Sequence, residues 1–452
     1  MNCRISKFRR SARLTLSLGV VAALSGCAAY RPLPLPKTAQ LVPAVSALAQ
    51  APVQSGSLDM DQVAALALAN NPELQAVRAR HGIAQAQLLQ AGLLPNPTLT
   101  GAFLPLLSGV GTVPAWNVGL AQDIKSLITY RSKVRAAGYA AKQVDAEILW
   151  QEWQVAGQAR QLAAELILGQ KSRIAYDGAW RLLRDRNAKA EAALSAGNLT
   201  LLIVAPGRVS LQNARAALDA LDQKLLAQRH QLNALLGMSP DAAVPLVDHV
   251  DLPTLDPAAI RASLPTLPDR RPDLLALRMG YASADEQVRQ AILSQFPDLV
   301  LGGGMASDNA RVINGGPNAS LGLPVFDRKQ GAIGIANATR AQLHADYTAR
   351  LNSAQGQVEA MLSEMEQLSQ QLAKVRRDLP AARQAADRAA QAFGASHLDE
   401  RGYIDLLTNR FAKEQEVMTL ELALLDRQIA LQTLVGAGLP TAEIDNSAGG
   451  AK

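Results

Sequence analysis

Apolar and polar residues along this chain switch between two periods, and the switch happens twice. From about Leu58 to Leu93 apolar positions recur at helical spacing, which predicts one helix. Pro95 and Pro97 stop it, and Thr98 to Phe103 then alternates with the period of a strand. The pattern predicts strands near 98–104 and 115–122, joined by "LLSGVGTVP", where Gly109, Gly111 and Pro114 are turn residues. A long helical pattern covers about 130–195, breaks at "SAGNLT", and resumes in a helix ending near Gly237. Pro206 and Gly207 interrupt the start of that last helix. The second half predicts a helix near 272–295, strands near 298–305 and 318–324, and a long helix near 329–394. "NGGP" at Asn314 reads as the second hairpin's loop, "GASHLDERG" as the second break, and a last helix ends near Val435. Gly302 to Gly304 would either bend a strand or weaken it.

The two halves are copies. "NPELQAVRAR" at Asn71 aligns with "RPDLLALRMG" at Arg271. At the same spacing of 200, Pro72 pairs with Pro272, Leu74 with Leu274, Gln90 with Gln290 and Leu99 with Leu299. "LLGMSP" ending at Pro240 pairs with "LVGAGLP" ending at Pro440. This many matches in one register is an internal duplication. It divides the chain into a leader at 1–26, a linker at 27–57, a first repeat at 58–240, a joint at 241–257, a second repeat at 258–440 and a tail at 441–452.

Length then constrains packing. A helix of ~65 residues is about 100 Å long, beyond any globular domain. The two shorter helices of the first repeat together reach about the same length. One long helix beside two short ones stacked end to end is the natural unit, and two such units make a helical wall.

The strands carry a sidedness. In the second, Trp116, Val118 and Leu120 point one way while Asn117, Gly119 and Ala121 point the other. In the fourth, Ala319, Leu321 and Leu323 oppose Asn318, Ser320 and Gly322. Each strand approaches the roughly 9–11 residues that a tilted strand needs to cross a bilayer. Open sheet edges cannot sit in hydrocarbon, where their backbone groups lack partners. A closed barrel takes about eight strands or more, so strands from one such chain enter a membrane only if several chains share a barrel.

Composition and charge change the picture at the N-terminus. Aromatic residues make up only 4%, which favours long helices packed through small residues. The formal charge of +6 owes most to Arg4, Lys7, Arg9, Arg10 and Arg13; without that acid-free segment it falls to about +1, leaving no electrostatic case for nucleic-acid binding. The basic start and the apolar run from Leu14 to Leu24 read as a secretory signal peptide, too short to span a bilayer. It ends in Leu24-Ser25-Gly26-Cys27, which resembles the bacterial lipobox. Cys27 is the expected lipidation site, and Ala28 after it fits release to the outer membrane. The other cysteine, Cys3, would leave with the signal, so no disulfide is expected.

The lipobox, "NPEL…AGLLPNPTL", the duplication and "LGLPVFDRKQG" together resemble the TolC-like outer-membrane factors of bacterial tripartite efflux systems, over about Leu58 to Pro440. The resemblance implies a mainly α fold with short transmembrane β-hairpins, built on a duplicated helix-strand-strand-helix-helix unit. It implies a homotrimer whose long periplasmic α-barrel continues into a shared twelve-stranded β-barrel in outer-membrane lipid. "PNP" would be the corner between the two, with Pro297 as its repeat. The implied function is a passive exit duct for drugs or metal cations, fed by an inner-membrane transporter of the resistance-nodulation-division type through a periplasmic adaptor. The two breaks match the family's periplasmic tips. Gly197, Leu199, Ser396 and Leu398 become candidate adaptor contacts, and Asp399 and Glu400 candidate acids at the channel constriction, where carboxylates favour cations. Asp399 and Glu400 read equally well as cap and first-turn acids of the last helix. The aromatic girdles usual in such barrels are thin here, with little beyond Phe103, Trp116 and Phe326.

The competing reading is a non-channel coiled-coil lipoprotein such as an adaptor. An adaptor would need β-rich domains flanking one hairpin, whereas two hairpin-plus-strand repeats are present. No enzyme is expected. His81, His230, His249, His344 and His397 are dispersed without metal-ligand spacing, and neither a phosphate loop nor a nucleophile elbow occurs. No cofactor or metal is expected beyond the covalent lipid on Cys27.

Overall fold

The computed structural model describes residues 30–50, 56–252 and 255–439. The signal peptide, Cys27 and the tail lie outside these residues. The chain divides into Met1–Leu41 and Val42–Lys452. Of the first unit, the described part is extended and exposed throughout. All the elements below belong to the second.

The first repeat opens with α1 (Met60–Asn70) and α2 (Pro72–Ala91), followed by β1 (Thr98–Leu104), β2 (Ala115–Asp123), α3 (Lys125–Ser195) and α4 (Leu201–Leu235). Two short helices, α5 (Pro257–Ser263) and α6 (Leu267–Arg270), lead into the second repeat. There α7 (Pro272–Leu293), β3 (Asp298–Ser307), β4 (Ile313–Gly322), α8 (Gln330–Gly394) and α9 (Glu400–Val435) repeat the order. At 71 and 65 residues, α3 and α8 are about 105 and 100 Å long.

Local chemistry sets the boundaries. The single helix expected over 58–93 is two, because Asn71 ends α1 and caps α2, with its Oδ1 accepting from the Leu74 amide at 2.7 Å. Pro72 then occupies the first helical position, where no N–H is needed. α1 has its own capping box, Asp59 with Gln62. The C-termini of α4 and α9 use the same device 199 residues apart, left-handed Gly237 and Gly436 at φ 71° and 75°.

Two further expectations need correction. α4 runs unbroken through Pro206. The proline lies within two turns of the helix start, and Leu202, whose carbonyl it leaves unpaired, is 74% exposed and open to water. Pro380 is likewise carried on an exposed face of α8. The second hairpin turns at Asp308–Val312, not at "NGGP". The Asp308 carboxylate accepts from the amides of Ala310 and Val312 at 2.8 and 2.9 Å, and Arg311 takes φ 69°. "NGGP" lies inside β4, where Pro317 is tolerated because β4 is an edge strand.

The strands form one antiparallel sheet in the order β1-β2-β3-β4. The helices follow the same order: α2 and α4 pack on one side of α3, α7 and α9 on its other side, and α8 beyond them. So α3 is an interior helix and α8 an edge. The largest core lies where α1, α3 and the end of α4 meet, around Trp153, Val63, Ala67, Leu232 and Leu236. Two parallel bridges, Val42 with Met238 and Leu58 with Leu246, bind the N-terminal segment and the joint between repeats to it.

The glycines of β3 have a packing reason. A Cβ at Gly302 would lie 2.5 Å from the Leu120 carbonyl oxygen, and one at Gly304 would lie 2.8 Å from that of Val118. The β2–β3 pairing has no room for a side chain at these positions.

Candidate functional site

The strand register extends the sidedness read from β2 and β4 to the whole sheet. Leu99 pairs with Leu120, and Phe103 with Trp116. Val118 pairs with Met305, Leu299 with Leu321, and Ser307 with Ile313. Directly paired residues share a face, so one face carries nearly all the large apolar side chains. Leu99, Phe103, Met305 and Ile313 there are 56–75% exposed. The other face carries Thr98, Thr100, Asn117, Gly119, Gly302, Asn314, Asn318 and Ser320. Its threonine hydroxyls donate back to the carbonyls of Ala121 and Gly119 at 3.3 Å. Both edges are open, since among the described residues no strand pairs with the outer side of β1 or of β4. Every residue of β4 is exposed.

The two ends of the sheet differ. At the hairpin end Phe103 and Trp116 sit side by side, and the loops tie together through Thr112 and Asn309. At the helix end the Lys125 ammonium meets the Asp298 carboxylate at 2.6 Å. There Tyr130 Oη donates to the Gly92 carbonyl at 3.0 Å, and Gln122 Nε2 to that of Pro95 at 3.1 Å. The corner at Pro95 and Pro97 is therefore held by side chains of the next strand and helix. Phe326, 94% exposed, lies in the loop just past β4 at this end, so aromatic rings stand near both ends of the sheet.

At the far end of the helices the two breaks form the same turn. The Asn198 amide donates to Ala193 O and that of Gly197 to Leu194 O; His397 and Ser396 do the same with Ala392 O and Phe393 O. This is the Schellman arrangement, with Gly197 and Ser396 left-handed at φ 77° and 60°. Gly197 and Ser396 are exposed, and Leu199 and Leu398 half-buried behind them.

The two acids at the second tip part company. Asp399 is exposed and caps α9, its Oδ1 accepting from the Gly402 amide at 2.8 Å. Glu400 is 7% exposed and turned inward to the Arg186 guanidinium of α3. That guanidinium also lies 4.3 Å from the Phe393 ring centre and 5.3 Å from that of Tyr403, and the two rings stack at 5.3 Å. Arg186, Phe393 and Tyr403 had no sequence signal, because the pairing spans more than 200 residues.

A second buried ion cluster marks the start of the second repeat. Arg271, 1% exposed, grips Asp273 with two hydrogen bonds of 3.0 and 2.7 Å, and Arg350 of α8 adds one at 2.6 Å. Both guanidinium groups lie over Trp150, at 5.0 and 5.6 Å. Burial alone would push the Asp273 carboxyl up, but the bonds and charges of Arg271 and Arg350 hold it below the ordinary carboxylate value.

The long helical wall continues into an open antiparallel sheet, apolar on one face and polar on the other. No helix among the described residues is long and apolar enough to cross a membrane. Residues 264–437 match the family described as "Outer membrane efflux protein". The Burkholderia cepacia "Fusaric acid resistance protein FusA" is 32% identical over 161 residues, which cover 32% of this chain and 30% of that protein. The Salmonella typhimurium "Probable outer membrane lipoprotein SilC" is 22% identical over 259 residues, 55% of this chain and 56% of that protein. The chain thus spans about a third to a half of the curated relatives it matches. The Campylobacter jejuni CmeC outer membrane channel shares the fold at TM-score 0.72 and 15% identity, over 93% of this chain and 97% of that one. The second repeat thus carries the similarity to the outer membrane efflux protein family, and the chain shares its fold with solved outer-membrane channels.

Proposed function

We propose that three copies of this chain form an outer-membrane duct, the passive exit of a tripartite efflux system. The observation that carries this reading is the sheet: one apolar face, one polar face and two open edges on four strands. Open edges in lipid leave backbone groups unpaired, at several kcal/mol each, so β4 of one copy must pair with β1 of the next. Three copies give about twelve strands, a closed barrel with its polar face around water. Solutes, drugs or metal cations, would be delivered by an inner-membrane pump through a periplasmic adaptor meeting Gly197, Leu199, Ser396 and Leu398. Acylation at Cys27 would tether the assembly to the outer membrane. With Glu400 engaged by Arg186, Asp399 is the acid free to face the constriction, while it also caps α9.

Planar-bilayer recording on protein purified from outer-membrane fractions tests the reading. We expect a species of three chains that migrates intact until heated and carries stepwise current. Leu321→Arg, on the apolar face, should prevent assembly, at a cost of about 2–4 kcal/mol. Asn318→Lys, on the polar face, should leave assembly intact and change the current. A monodisperse single chain that carries no current would overturn the duct. Asp399→Ala should weaken cation preference, and identical currents would leave this residue a cap only. Palmitate labelling that survives Cys27→Ala would end the lipidation reading.

A further inference from the structure

The joint between the two repeats is a template for the joint between two copies. The two hairpins share one register: Leu99 pairs with Leu120 in the first, and Leu299 with Leu321 in the second. Strands β1 and β3 therefore correspond at an offset of 200 (Leu99 to Leu299), and β2 and β4 at 201 (Leu120 to Leu321). The second offset also places Asn117 on Asn318. The repeats meet where β2 pairs with β3, with Leu120 opposite Gly303 and Asp123 opposite Val300. A row across the sheet runs from Thr98 through Ala121 to Gly302, four residues past Asp298, the counterpart of Thr98. A repeated stagger of this kind is what closing a barrel requires.

We propose that β4 joins β1 of the next copy in the register that β2 and β3 show within one chain. This register presupposes the shared barrel and adds which residues meet in it. Carried over by the two offsets, Leu321 faces Phe103 of the next copy, Leu323 faces its Gly101 and Val325 its Leu99. Each of these pairs exchanges backbone hydrogen bonds. Between them Ser320 faces Leu104 of the next copy, and Gly322 its Ala102, in the closer, non-bonded positions.

Backbone direction supports this alignment. The Ile124 amide donates to the Leu299 carbonyl at 2.9 Å, so the even-numbered residues of β2 turn their N–H groups to β3. By the offset of 201, the odd-numbered residues of β4 turn theirs to the open edge. Pro317 is one of them, and its missing N–H falls on that edge. In the proposed register Pro317 faces Leu107 of the next copy, beyond the end of β1 at Leu104, where no ladder bond is needed. A register that sets Gly322 level with Thr98 of the next copy would put Pro317 opposite its Phe103 and lose a bond. Odd shifts are excluded as well, since they would bring the apolar face of one copy level with the polar face of the next.

The alignment also gives the exposed Leu323 and Val325, just past β4, a role. The Val325 amide donates to the Leu323 carbonyl at 2.9 Å, a tight local turn. Val325 is the counterpart of Ile124, so on assembly its amide turns to the Leu99 carbonyl of the next copy. Residues 323–326 then straighten and lengthen β4.

Oxidative cross-linking of the full chain in outer-membrane fractions reads the register. Cys3 and Cys27 are the native cysteines, the first in the leader and the second the expected acylation site, so an introduced pair stands alone. Ser320→Cys is combined in turn with Leu104→Cys, Ala102→Cys and Thr100→Cys. Within one chain these positions lie on opposite edges of the four-stranded sheet, at least about 14 Å apart and out of disulfide reach. Across the proposed seam, the Cα atoms of residues 320 and 104 come within about 4.5 Å. We expect the Leu104→Cys pairing to give reducible species of two and three linked chains, about tenfold stronger than either other pairing. The strongest bond from Ala102→Cys would mark a slip of two residues and from Thr100→Cys a slip of four; either overturns the register and leaves the duct standing. Absence of a bond from every pairing, in protein that still migrates as a heat-sensitive three-chain species, overturns it too. Protein found only as single chains removes the duct and the register together.

Discussion

The two long helices, α3 and α8, descend from one duplicated unit and live in different surroundings. α3 is covered on both sides and has buried residues along most of its length, from Ser132 to Ala190. α8 is covered on one side only, and its first buried residue is Ala354, 24 residues into the helix. The edge strand β4, which leads into α8, is bare as well. The same pattern of small and apolar residues therefore makes a core in one copy and an unpartnered flank in the other. Burial here is a property of position in the wall more than of the helix itself.

The sharpest way to break this comparison is to cut the core of α3. Trp153 is 1% exposed at the centre of the largest cluster, whereas Ser353, 200 residues on in α8, is exposed. Trp153→Ala should cost about 3–5 kcal/mol in denaturant unfolding, and Ser353→Ala almost nothing. Gly436→Ala probes the same site from the other side, since its Cβ would run into the Trp153 ring from a left-handed backbone position. Equal losses at 153 and 353 would refute the asymmetry.

The tips give the next effect. Arg186 and Glu400 are paired in the interior, while Arg208 and Glu191 pair on the surface near the first tip. Arg186→Ala strands a buried carboxylate and should cost about 3 kcal/mol. Arg208→Ala should leave the melting temperature unchanged. A smaller difference lies in the caps. Asp399 makes its capping bond and Thr200, its counterpart, makes none. Asp399→Ala should lower stability by about 1 kcal/mol, and Thr200→Ala by less than can be measured.

The subtlest contrast is in acid. The first repeat begins with neutral Asn71 and the second with the Arg271–Asp273 pair. Folding depresses the Asp273 pKa, so the ion pair's contribution is present above the ordinary carboxylate value of 3.8 and is lost as pH falls through and below it. Amides of α7 should therefore lose exchange protection in acid before those of α2. Asp273→Asn should flatten that acid response.

Much of this was legible because it is periodic. The duplication, the strand faces and the helix lengths follow from spacings of two, three to four and 200, which need no partner to be read. Readings failed where local chemistry was judged without its place in the fold. Asn314 to Pro317 has turn composition, yet an open edge tolerates glycine and proline, and the turn went to Asp308, whose carboxylate satisfies two amides. Pro206 looked like a break, yet the carbonyl it frees belongs to Leu202, which is open to water in the first turn.

By itself, then, the sequence determined what each segment is: its period, its sidedness and where backbone hydrogen bonding must stop, all of which depend on residues within a few positions of one another. Only the tertiary structure decided which of two similar acids turns inward, which long helix becomes core, and that Arg350 meets Asp273. Those outcomes depend on groups hundreds of residues apart arriving at one low-dielectric spot, where desolvation forces each charge to find a partner or give up its ionisation.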